Sequence, residues 1–162
     1  MKHIEEQISF LKTVTKNNER GIFSYHKDYA IFGDQYHMTI IPQALFVLDI
    51  EKLRNINYIY TFSAEALDDM LIEAETVGLH PTGKELKHNK ALLVEFERYD
   101  NHKLVYMQKK FLKNVDLKSA SFEQTVTRGD NINGGIHVFE NRQLVMYCMP
   151  HRVEYYKGAN ND

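Results

Sequence analysis

The stretch Gly21–Pro42, GIFSYHKDYAIFGDQYHMTIIP, decides the fold class of this chain. Ile22-Phe23-Ser24-Tyr25 is a β-prone run, His26-Lys27-Asp28 a polar turn, and Tyr29-Ala30-Ile31-Phe32 a second run, which together predict a hairpin. Gly33-Asp34-Gln35 predicts another tight turn. Met38-Thr39-Ile40-Ile41 then reads as a strand stopping at Pro42, which has no N–H for a ladder. Strands joined by turns this short run antiparallel.

Upstream, Ile4, Ile8, Leu11 and Val14 recur at helical spacing and predict a helix ending in the polar run before Gly21. Downstream, Leu45–Leu48 and Tyr58–Phe62 read as strands, and Ser63 as the cap of a second helix with Ala64, Leu67, Leu71 and Ala74 inward. That helix has an acidic outer side: Glu65, Asp68, Asp69, Glu73 and Glu75. Residues 76–90, with Gly78, Pro81 and Gly83, read as loop. A hairpin follows over Leu92–Phe96 and Leu104–Met107, then a third helix over Lys109–Leu117 with Phe111, Leu112 and Val115 inward. Ile136–Phe139 and Leu144–Met149 form a last hairpin. The expectation is an α+β class with antiparallel sheets and two helices on one face.

The 162 residues suit a single domain over 1–154, with an enlarged middle at 43–90 and a mobile tail at 155–162. Cys148 is the only cysteine, so no internal disulfide forms and a reducing, cytoplasmic setting is expected. No apolar run approaches a membrane span, and MKHIEEQISF has no apolar signal region. The net charge of -2 excludes a general polyanion binder, so any nucleic-acid contact needs a local basic face.

Catalytic patterns are missing. No histidine pair has zinc-helix spacing, and one cysteine builds no thiolate cluster, so neither metal nor cofactor is expected. Asp68 and Asp69 are adjacent and diverge on a helix. Gly134-Gly135 lacks the helix start and lysine of a phosphate loop, and Arg128-Gly129-Asp130 is a chance tripeptide. Cys148 sits among apolar neighbours and reads as a buried thiol. The chain is read as a non-enzyme. Its basic residues concentrate at Lys12, Lys16 and Arg20 around the first helix, and at Lys109, Lys110, Lys113 and Lys118 around the third.

Three segments resemble a domain of the bacterial replicative sliding clamp, the beta subunit of DNA polymerase III. Phe32-Gly33-Asp34-Gln35-Tyr36-His37-Met38-Thr39-Ile40-Ile41-Pro42 is similar to the clamp's strand–turn–strand ending near proline. Gly33 stands where threonine is usual, and Gln35 where glycine is. Val105–Val115 is similar to its strand running into a Lys-Tyr-Leu helix. Cys148-Met149-Pro150-His151-Arg152-Val153 is similar to its Met-Pro-Met-Arg-Leu ending, with His151 replacing a methionine.

The resemblance implies a clamp-like domain whose seven cations (Lys12, Lys16, Arg20, Lys109, Lys110, Lys113, Lys118) contact duplex backbone without reading sequence. It further implies that Met146, Met149, Pro150, His151 and Arg152 line a cleft for a polymerase or other clamp-binding peptide. The clamp has three such domains per chain and closes a ring from two chains. This chain has room for one, so ring closure would require homo-oligomers. The expected function is a DNA-replication accessory, and a short one-domain chain fits a phage source. The alternatives are a protein-interaction module or inhibitor of a host replication protein without DNA binding, and an unrelated enzyme whose site assembles in space.

Overall fold

The computed structural model describes residues 2–16, 20–126 and 134–153. It is an α+β fold whose strands pair almost entirely antiparallel. In chain order the elements are α1 (Lys2–Thr15), β1 (Gly21–His26), β2 (Tyr29–Gly33), β3 (His37–Pro42), α2 (Ile50–Arg54), β4 (Ile59–Tyr60) and α3 (Ala64–Leu71). The remainder is β: β5 (Thr76–His88), β6 (Ala91–Arg98), β7 (Leu104–Gln108), β8 (Ala120–Thr125), β9 (Ile136–Glu140) and β10 (Gln143–Cys148). The chain divides into two compact units, Met1–Ala74 with Leu144–Tyr147, and Glu75–Gln143 with Cys148–Asp162. No helix among the described residues is long and apolar enough to cross a membrane.

In the first unit the strand order is β4-β1-β2-β3-β10. The opening stretch folds as expected, with His26 opposite Tyr29 and Gly33 opposite Met38. Both faces of this sheet are covered. Phe23, Ala30, Phe32 and Ile41 face Phe10 and Val14 of α1 and Ile50 and Leu53 of α2. Ile22, Ile31, Met38 and Ile40 face Leu67 of α3, so the run is apolar throughout rather than alternating. Two glycines permit close approaches here. A Cβ on Gly21 would lie 2.7 Å from Val14, and one on Gly33 would lie 2.1 Å from the His37 carbonyl oxygen.

α1 forms where its periodicity predicts, but it presents a different face. Gln7, Phe10 and Val14 are buried, while Ile4 and Ile8 are exposed. Gln7 explains the rotation. Its side-chain amide donates to the carbonyls of His3 and Leu45, both at 2.9 Å, and its oxygen accepts from Val47 N at 2.8 Å. The same contacts explain why Leu45–Leu48 is not a strand: Leu45 and Val47 bond to this side chain instead of a ladder. Ser63 caps α3 as expected, accepting from Ala66 N at 3.1 Å.

In the second unit the order is β9-β8-β5-β6-β7. Residues 76–88, read from sequence as loop, are the longest strand. Gly78 lies under Tyr99, Pro81 and Gly83 fall at a bulge, and Gly83 takes φ +86°. β8 pairs with β5 only from Thr76 to Leu79, so Pro81 sits where that side of β5 needs no donor. The segment read as a third helix is a 3-10 turn at Lys109–Leu112. Asp116 closes it locally: its Oδ1 accepts from Lys118 N at 3.1 Å, and Ser119 Oγ donates to its Oδ2 at 3.0 Å. The proposed tail at 155–162 and Arg128-Gly129-Asp130 lie outside the described residues.

Candidate functional site

A groove of about 810 Å³ lies in the second unit, and three sequence-distant segments build it. The first is the turn between β5 and β6, where Asn89 and Lys90 have φ of 50° and 68°. Two successive left-handed residues make the tight hairpin turn that matches strand twist, and asparagine tolerates the first position. His88 opposite Ala91 fixes its register. The turn therefore holds Lys90 at the groove wall.

The second segment follows β7, which pairs with β6 through Gln108 opposite Leu93. Phe111 and Leu112 are buried, and that anchorage leaves Lys109, Lys110 and Lys113 exposed along the groove. Lys109 Nζ is 2.7 Å from Glu85, whereas Lys90, Lys110 and Lys113 have no carboxylate partner among the described residues. Lys110 Nζ also lies 5.6 Å from the Phe111 ring centre.

The third segment is Met149–Val153. His151 N donates to Tyr106 O at 2.8 Å in an antiparallel bridge to β7, and Val153 is buried with Leu93 and Tyr106. The His151 ring reaches the groove and shares a 2.9 Å hydrogen bond between its Nε2 and His88 Nδ1. One ring donates and the other accepts, so the pair holds one proton between the two nitrogens. Burial, followed by the neighbouring His88, holds the His151 imidazole below its ordinary value.

The expected site residues thus scatter. Lys109, Lys110 and Lys113 meet His151, which sequence reading had assigned to a separate peptide cleft. Lys118 is exposed but does not line the groove, and Lys12, Lys16 and Arg20 are exposed in the first unit. Met146 is buried in the first unit; Met149 and Arg152 are exposed, and Pro150 is half-buried. Lys90 was missed. The Asn89-Lys90 turn was the available signal, obscured by Pro81 and Gly83 just before it. Elsewhere, Cys148 is fully buried and burial pushes its thiol up to about 12. Among the described residues no three metal-ligating side chains cluster.

Comparison with protein-family models, curated proteins and solved structures finds no match for this chain.

Proposed function

We propose that this chain is a non-enzymatic DNA-binding protein that holds duplex backbone in the basic groove, in the manner of a replication accessory. One observation carries the reading: Lys90, Lys110 and Lys113 converge on one concave surface with no carboxylate partner among the described residues. Gln108 and Asn89 add neutral hydrogen-bonding groups on the same walls. Lysines on separate turns suit phosphates spaced along a strand and read no base edges, so binding is sequence-independent. With a net charge of -2, attraction to DNA has to come from a local basic surface of this kind. Retention on a duplex column, compared between wild type and K110E/K113E, tests it. Charge reversal abolishes retention at low salt if the groove binds DNA; unchanged retention removes the DNA role.

A protein-interaction role on the same groove is the second reading. It is favoured by Leu92, an exposed apolar side chain on the groove wall that a phosphate backbone does not need. An acidic peptide with one apolar anchor fits that wall, and its binding, unlike that of a duplex, would be weakened by Leu92→Ala.

A further inference from the structure

We infer that a second site, a tyrosine-lined cleft in the first unit, binds the unstacked bases of single-stranded nucleic acid. The inference rests on the nucleic-acid reading above but uses different residues. The cleft, of about 640 Å³, is lined by Tyr36, Tyr58, Tyr60 and Phe62, with Arg20 and Gln35 beside them. Tyr36, Tyr58 and Tyr60 are 54%, 63% and 45% exposed, which is a costly display of aromatic surface for a group with only a structural role.

The backbone that carries each ring is anchored. Tyr36 rides a turn in which Asp34 Oδ1 accepts from Tyr36 N at 2.8 Å and His37 N at 3.0 Å. Tyr58 N donates to Asn57 Oδ1 at 2.8 Å, and Asn57 Nδ2 donates to Val14 O at 3.0 Å. Tyr60 lies on β4 opposite Ile22, with Phe62 edge-on at 5.0 Å, and Phe62 N donates to Ser24 Oγ at 3.0 Å. Main chain ordered in advance adds no backbone entropy cost when a flat partner stacks on these rings.

The charges select the partner. Asp34, the one carboxylate among the described residues of the wall, is occupied by its own turn and lies 3.5 Å from His37 Nδ1. Arg20 is exposed and has no carboxylate partner among the described residues. Aromatic faces beside a free guanidinium match bases joined by phosphates, and Gln35 offers an amide to base edges. A proline-rich peptide, the other class of ligand for tyrosine grooves, has no use for an unpaired cation.

The chain has no tryptophan but ten tyrosines, so stacking in the cleft is read as the quenching of tyrosine emission in wild type that Y58A/Y60A lacks. The experiment titrates the full chain with a labelled oligothymidylate of about twelve nucleotides, a duplex of equal length and a proline-rich peptide. Wild type, Y58A/Y60A, Y58L/Y60L and K110E/K113E are compared, with circular dichroism confirming the fold. The expected result is quenching of tyrosine emission by oligothymidylate, with affinity lost about tenfold for each ring removed. The leucine pair, which keeps apolar bulk without a π-face, shows the same loss, and duplex affinity stays unchanged in both. Loss confined to K110E/K113E, or quenching by the peptide and not by the oligonucleotide, overturns the inference. Loss in the tyrosine variants with duplex binding intact in K110E/K113E sustains it and overturns the groove reading instead.

Discussion

His88 Nδ1 and His151 Nε2, from residues 63 positions apart, lie 2.9 Å from each other beside a wall of lysines. The pair ties the Met149–Val153 segment to the β5–β6 turn, and it does so only while one of the two rings can accept a proton.

A pH dependence follows. His151 is held below its ordinary 6.5, so the folded state prefers it neutral. Its contribution to stability is therefore complete above about 6.5 and is lost as pH falls through the lower folded value. Thermal unfolding of the wild type between about pH 7 and pH 5 should show a falling Tm beyond that of H151Q, measured alongside it. Parallel curves for the two proteins would mean the pair carries no such linkage.

Gln7 should behave as a structural strut. Gln7→Ala strands the Val47 N–H and removes the bonds to His3 and Leu45. A loss of about 2–3 kcal/mol in urea unfolding is expected, because buried polar groups lose partners without regaining water. Ile8→Ala, on the exposed face, should change stability far less.

Arg98 is 1% exposed, and it grips Asp100 through Nε to Oδ1 at 3.0 Å and an Nη to Oδ2 at 2.8 Å. The hydrogen bond from Arg98 holds the Asp100 carboxyl below its ordinary 3.8. A depressed carboxyl stabilises the fold above its unfolded value and loses that effect as pH falls through the folded one, so this part of acid unfolding lies below about pH 4. D100N should lower Tm at neutral pH and show a smaller further fall below that point. An unchanged neutral Tm would show that the bidentate contact contributes nothing.

Cys148 should resist alkylation. It is fully buried with a thiol near 12, so almost no thiolate exists at neutral pH. Iodoacetamide labelling should be slow, in proportion to the small population of opened molecules, and become fast in denaturant. Rapid labelling of the native protein would place the thiol at the surface.

What the sequence made legible follows from where its information is local. The β1–β2–β3 meander was readable because its turns, His26–Tyr29 and Gly33–His37, are set by neighbouring residues. The cap at Ser63 was equally local. The inward face of α1 was not, since Gln7 is buried for bonds to residues 38 and 40 positions away. The lysines after β7 were found as a charge cluster, but their helix was not formed: Phe111 and Leu112 are buried side by side, and Asp116 turns the chain. The groove stayed hidden because it needs Lys90 on a hairpin that Pro81 and Gly83 disguise. It also needs His151, brought in by a bridge to Tyr106 across 45 residues.

The salt dependence of duplex binding tests the central claim most directly. Lys90, Lys110 and Lys113, without carboxylate partners among the described residues and each displacing counterions from a phosphate, should give a log–log slope of about −2.7 for the wild type. K110E/K113E should bind more weakly with a slope no steeper than about −0.9. A wild-type affinity that does not change with salt, or a slope the two substitutions leave intact, would contradict the account.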